Sequence, residues 1–127
     1  MKIVKFITAI VFLFAGFSNT RAQAPQKVVP VEVYYFHATK RCVTCEAVEA
    51  VTKEALKEYY GDKIVLKSIN REEDQTNPLI AKHQISGQTL LILKGDKAVN
   101  LTNQAFMNAR VKPDKLKKKI KETIETM

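Results

Sequence analysis

The only two cysteines of this chain, Cys42 and Cys45, are separated by Val43 and Thr44 and stand where a short apolar run gives way to a long helical pattern. At the mouth of a helix, unpaired backbone N–H groups and the positive helix end stabilise a thiolate, so one thiol can attack while its neighbour resolves. A reversible dithiol is the leading reading of this arrangement, and it needs no cofactor. Zinc is the alternative use of two cysteines at this spacing. A tetrahedral ion takes about four ligands, however, and beyond the cysteines only His37 and His83 are on offer as histidines. The third reading is an inert bridge that locks the helix start.

The flanking patterns say what holds the pair. Residues 31–37 are rich in Val, Tyr and Phe and alternate poorly, as a strand buried on both faces does. Across residues 43–60, Val48, Val51, Ala55 and Tyr59 recur at helical spacing, with Glu46, Glu49, Lys53, Glu54 and Lys57 assigned to the other side and Gly61 as the stop. Cys45 falls three residues before Val48 and points with the apolar face, whereas Cys42 precedes the first turn. One sulfur is thus expected exposed and the other sheltered. A second strand follows over residues 64–69, then a polar loop over 71–76 and a short helix over 78–84 with Pro78 in its first turn. Two β-rich runs, 89–93 and 97–101, flank Lys94-Gly95-Asp96, a hairpin signal that pairs them antiparallel. Pro113 and Asp114 open a last helix whose Leu116, Ile120 and Ile124 form an apolar stripe. Residues 103–111 have no firm assignment beyond a helical turn at 104–108. The predicted architecture is α/β, β-α-β-α-β-β-α, with a mixed four-stranded sheet flanked by helices.

The first residues read as an export signal. Lys2 and Lys5 precede an apolar run over residues 7–17, and Thr20-Arg21-Ala22 offers small residues for cleavage after Ala22. Cleavage after Ala24 also fits the small-residue rule but would leave Pro25 first. An uncleaved anchor is the rival, yet 11 apolar residues fall short of the roughly 20 that cross a bilayer. The expected organisation is a signal over 1–22, a linker over 23–30 and one domain over 31–127, with no transmembrane span in the mature chain. Loss of Lys2, Lys5 and Arg21 lowers the net charge from +8 to +5, and much of the remainder lies between Lys115 and Lys121. Such a run reads first as a solvated helix face and second as a contact for acidic lipid or an acidic partner. Nucleic acid is not an expected partner of an exported chain. The expected location is the bacterial periplasm, where a disulfide persists.

The element order with Cys-x-x-Cys after the first strand resembles the thioredoxin fold. Asp74-Gln75-Thr76-Asn77-Pro78, Ile85-Ser86-Gly87 and Thr89-Leu90-Leu91-Ile92-Leu93-Lys94 are similar to thioredoxin strings at the same places. Tyr35-Phe36-His37-Ala38-Thr39-Lys40-Arg41-Cys42 also resembles the exported thioredoxin-like proteins called nitrophenyl compound nitroreductase subunits, the ArsF family. Nothing here resembles a flavin-binding nitroreductase, so the resemblance implies the fold and the dithiol but not nitro-reduction. It further implies a protein or small-molecule disulfide or thiol as substrate and a membrane dithiol carrier as electron donor.

The departures from thioredoxin select the remaining candidates. Where that family places a cis-proline facing the dithiol, this chain has Gln88, expected in a trans bond because a non-proline cis bond costs about 3 kcal/mol. Gln88 and Thr89 are therefore candidates for substrate docking. The usual tryptophan before the first cysteine is replaced by Arg41, with Lys40 before it, and cations there favour a thiolate. The alternative is that both point to solvent as loop charges. Thioredoxin's buried first-strand aspartate has no counterpart in Tyr34-Tyr35-Phe36, which leaves His37 as the nearest proton acceptor and His83 as a weaker one. Tyr34, Tyr35, Tyr59 and Tyr60 read as packing, with a substrate-facing role for one of them as the alternative. The sequence reading is an exported thiol-disulfide oxidoreductase in which Cys42 attacks and Cys45 resolves, the direction of electron flow being open. Its rivals are a metal or metalloid carrier using both cysteines with His37 as third ligand, and a non-catalytic binding module on the same scaffold.

Overall fold

A computed structural model describes residues 28–127. The expected signal and most of the expected linker lie outside the described residues. The elements run β1 (Val31–His37), α1 (Val43–Tyr60), β2 (Leu66–Asn70), α2 (Pro78–Lys82), β3 (Thr89–Lys94), β4 (Lys97–Asn100), α3 (Thr102–Asn108) and α4 (Pro113–Thr126).

The sheet order is β2-β1-β3-β4, with β1 parallel to β2 and antiparallel to β3, and β4 antiparallel to β3. This mixed sheet, with a β-α-β unit leading into a β-hairpin and helices on both faces, is the thioredoxin-like fold. The weak alternation of β1 has the expected cause. Val33 and Tyr35 join the larger core with Val48, Leu56, Leu90, Ile92, Leu116 and Ile120, between the sheet and α1, α3 and α4. Phe36 joins a smaller core on the opposite face with Ile85, Leu91 and Leu93, over which Leu79 and Ile80 of α2 pack. Burying residues of both parities leaves no polar face to alternate.

Helix α1 keeps its expected bounds, and Gly61 ends it at φ +61°, its N–H returning to the Lys57 carbonyl. The Lys94↔Lys97 register leaves Gly95 and Asp96 as a two-residue turn, with Gly95 at φ +58°. Both positions are left-handed and suit glycine. Helix α2 is shorter than expected because Gln84 takes φ +51°. There the Gln84 N–H bonds to Ala81 O and the Ile85 N–H to Ile80 O, a Schellman-type stop without the usual glycine. Strand β2 starts two residues late because pairing begins at Val33↔Leu66, which leaves Val65 exposed. Helix α3 begins at Thr102, one residue before the unassigned connector, takes in the expected turn at 104–108 and buries Ala105 and Asn108. Among the described residues no helix is long and apolar enough to cross a membrane.

Candidate functional site

The register sets the site at one edge of the sheet. Strand β1 ends there at His37, β3 begins there at Thr89 opposite Phe36, and α1 starts six residues beyond His37, at Val43, with Cys42 as its N-cap. Cys42 has extended backbone, which lets its side chain fold over the open helix end, and its Sγ accepts the Cys45 N–H at 3.1 Å. The Cys42 carbonyl meanwhile accepts the Glu46 N–H at 3.1 Å and starts the helical ladder. Cys42 is exposed and Cys45 is 1% exposed, and the two are joined as a disulfide. The expected contrast between an outer and an inner sulfur is what the helix start produces.

Behind Cys45 lies a polar layer, part of which the sequence reading assigned elsewhere. Glu49, placed on the polar side of α1, is buried, with a side chain only 9% exposed. It is four residues beyond Cys45, and i,i+4 side chains share a helix face, so it inherits the sheltered position. Its carboxylate is paired with Arg41 and, at 2.8 Å, with Lys53. Burial works to raise the pKa of Glu49, but hydrogen bonds from Lys53, Ser68 and Arg41 together hold it below the usual carboxylate value.

Arg41 is therefore not a solvent-facing loop charge. Its guanidinium pairs with Glu49 and reaches Ser68 Oγ of β2 at 3.4 Å, while its Nε lies 3.3 Å from His37 Nδ1. The charge expected beside Cys42 is largely balanced by Glu49, which leaves exposed Lys40 as the cation of this loop with no ion-pair partner among the described residues. His37 is buried, and its Nδ1 also lies 2.9 Å from the Ala38 carbonyl. A protonated Nδ1 donates to that carbonyl, and a bare one accepts from Arg41, so the tautomer decides between them.

Tyr35 likewise does more than pack. Its wholly buried hydroxyl lies 3.1 Å from the Cys45 carbonyl and 3.1 Å from Gln88 Oε1. Burial pushes this phenol up to about 12; nearby Arg41 pulls it down and Glu49 pushes it up. The bond before Gln88 is trans, since the described residues hold no cis peptide bond. With no ring in the way, the Gln88 amide turns inward to Tyr35. Thr89 is buried, and its hydroxyl donates to Gly87 O at 3.1 Å. Gln88 and Thr89 also line a polar cleft of about 440 Å³ with His83, Gln84, Ser86 and Asn103. His83 caps α2 there, and its buried Nε2 has no hydrogen-bond partner among the described residues.

Cys42, Cys45, Arg41, His37, Gln88 and Thr89 therefore come together at one sheet edge, and Lys40 sits on the loop above them. Tyr35 and Glu49 were missed. Spacing from Cys45 signalled the position of Glu49, whereas nothing local signalled which face Tyr35 takes. Among the described residues no three His, Cys, Asp or Glu side chains approach closely enough to share an ion, so His37 does not complete a three-ligand set with the cysteines.

No family model matches the chain, and no curated protein matches it. Among solved structures, one titled as the structure of a malarial protein is 23% identical with a TM-score of 0.43, covering 65% of this chain and 98% of that one. Chloroplastic thioredoxin z, titled for a type-specific target recognition, is 21% identical with a TM-score of 0.44, covering 57% of this chain and 64% of that one. These likenesses are too slight to carry a function. The thioredoxin-like fold rests on strand order and register, and the redox reading on the cysteine pair.

Proposed function

We propose that the protein is an exported thiol-disulfide oxidoreductase in which Cys42 attacks and Cys45 resolves. The observation that carries the reading is the asymmetry of the pair. An exposed Cys42 caps the helix through its Sγ, which accepts the Cys45 N–H, while a buried Cys45 sits within bonding distance behind it. A thiolate at that cap gains about 0.3–1 kcal/mol from the helix end, and the thiolate is the species that attacks disulfides.

In the reducing direction, the Cys42 thiolate attacks one sulfur of a substrate disulfide. A Cys42–substrate bond forms, the substrate S–S bond breaks, and one substrate thiolate leaves and takes up a proton. Cys45, having lost its proton, then attacks Cys42 Sγ, forming the Cys42–Cys45 bond and expelling the second substrate thiolate. Two electrons pass to the substrate, and the protein ends oxidised, the state the structure represents. Run backwards, the same steps oxidise a dithiol, so the direction depends on which partner recharges the pair. A membrane dithiol carrier fits the reducing direction outside the cytoplasm.

Gln88, Thr89 and the polar cleft beside them are the proposed docking surface for a protein or small-molecule thiol or disulfide. Lys40, Arg41 and His37 are proposed to tune Cys42, Arg41 acting through its balance with Glu49. The string over residues 35–42 resembles the nitrophenyl compound nitroreductase subunit proteins, and on that resemblance export and the dithiol are proposed but not nitro-reduction.

The test is exchange and trapping. Cys42→Ala should abolish disulfide exchange, and Cys45→Ala should stall on a mixed disulfide through Cys42 that identifies the substrate by mass spectrometry. Tight copper(I) binding without exchange would instead favour a metal carrier. Partner affinity unchanged after loss of both cysteines would favour a binding module.

A further inference from the structure

The Tyr35 hydroxyl has one proton and two oxygens equally near it, the Cys45 carbonyl and Gln88 Oε1, each at 3.1 Å. It can donate to only one of them. Turning the Gln88 amide so that its NH₂ faces Tyr35 gives a chain in which Gln88 Nε2–H donates to the phenol oxygen and the phenol O–H donates to the Cys45 carbonyl. That orientation leaves no pair of acceptors face to face inside a buried layer, where an unsatisfied group costs about 1–3 kcal/mol.

We propose, on the basis of the dithiol reading above, that Tyr35 is a positioning residue for the second half of the exchange, holding the peptide of Cys45 in place while the Cys42–Cys45 bond is open. In the oxidised protein the disulfide itself fixes Cys45 against Cys42. In the mixed disulfide that tether is gone, because Cys42 Sγ is bonded to substrate and Cys45 is free in the first turn of α1. First turns have unpaired N–H groups and open readily. Tyr35 supplies a replacement tether from the stiffest part of the fold, since β1 is hydrogen-bonded on both sides, to β2 and to β3. Gln88 braces the phenol from the loop that enters β3. The phenol is not a base here, because burial keeps it neutral at any working pH. Its role is to keep Cys45 Sγ aimed at Cys42 Sγ, so that the Cys42–Cys45 bond forms as the Cys42–substrate bond breaks.

The two halves of the reaction are separable with 5,5′-dithiobis(2-nitrobenzoate) and fully reduced protein in a stopped-flow spectrometer. Attack by Cys42 releases one nitrothiobenzoate, and resolution by Cys45 releases a second. Tyr35→Phe removes only the hydroxyl. It should leave the first release within about twofold of wild type and slow the second at least tenfold, a loss of about 1.4 kcal/mol in that step. Acid-quenched mass spectrometry should then find the Cys42 adduct accumulating. A second release unchanged within twofold, or both releases slowed equally, overturns the proposal. If Tyr35→Phe does not fold, 3,5-difluorotyrosine at position 35 keeps the shape while making the phenol more acidic. The second release should then fall, relative to wild type, as pH rises and the donor proton is lost; a ratio flat with pH counts against the tether. Failure of the dithiol reading looks different, because wild type itself would then stop at one equivalent or end with nitrothiobenzoate adducts on both sulfurs instead of a closed Cys42–Cys45 disulfide.

Discussion

Removing the Arg41 guanidinium should destabilise the protein by about 2 kcal/mol, and the size of that loss follows from where its partner sits. Breaking a fully buried ion pair by deleting one member costs roughly 3–5 kcal/mol, because the other charge is left unpaired in a poorly polarisable site. Here Glu49 is 9% exposed, but Arg41 is 26% exposed, and Lys53, itself 58% exposed, remains on the second carboxylate oxygen. Partial solvation and the surviving lysine reduce the cost to about half, hence about 2 kcal/mol for Arg41→Ala. At about 4–8 °C per kcal/mol for a domain of this size, Tm should fall by about 8–16 °C. Adding Glu49→Gln should recover part of the loss, because the stranded charge goes with it. The coupling between the two substitutions should be about 1–2 kcal/mol in a double-mutant cycle. Arg41→Lys should not rescue, since one ammonium cannot meet Glu49, Ser68 and His37 at once. The assay is urea and thermal unfolding of the oxidised proteins at pH 7, repeated at high salt, which screens a buried pair only weakly. A loss below about 0.5 kcal/mol for Arg41→Ala, or additive substitutions, would show that Glu49 does not depend on Arg41 for its charge.

Because Glu49 ionises below its unfolded value of about 4.3, its contribution to stability is complete above that pH and is lost as pH falls through the lower folded value. Stability against pH should therefore drop below about pH 4, and the drop should be shallower in Glu49→Gln; parallel acid limbs would contradict this. Gln84→Gly should stabilise by about 0.5–1 kcal/mol, since a side chain at φ +51° carries a strain that glycine lacks. A thermal melt unchanged or lowered would show that the Gln84 side chain contributes more than the strain costs.

Most of the architecture was legible because its signals are local. Helix α1 shows its period in Val48, Val51 and Ala55 and its stop in Gly61, and the doubly buried β1 shows itself by failing to alternate. What the sequence left unread depends on tertiary direction. Glu49 reads as one more charge on a charged helix until the sheet places its face behind Cys45. Arg41 turns inward because that carboxylate needs a partner, and a loop cation shows no such preference by itself. Tyr35 reads as core, and it is core, yet its hydroxyl meets the site only because β3 brings Gln88 to the same edge as Cys45. Helix α3 lacked an acidic first turn and a side-chain cap, which is why only a turn was legible there.

If the outer sulfur does the attacking, it should also be the first to be alkylated. Fully reduced protein should be exposed briefly to iodoacetamide at pH 7, quenched, and mapped peptide by peptide. The structure predicts modification of Cys42 at least tenfold ahead of Cys45, because only Cys42 is both exposed and at the helix cap. Equal labelling of the two sulfurs, or Cys45 first, would contradict the assignment of attacking and resolving roles.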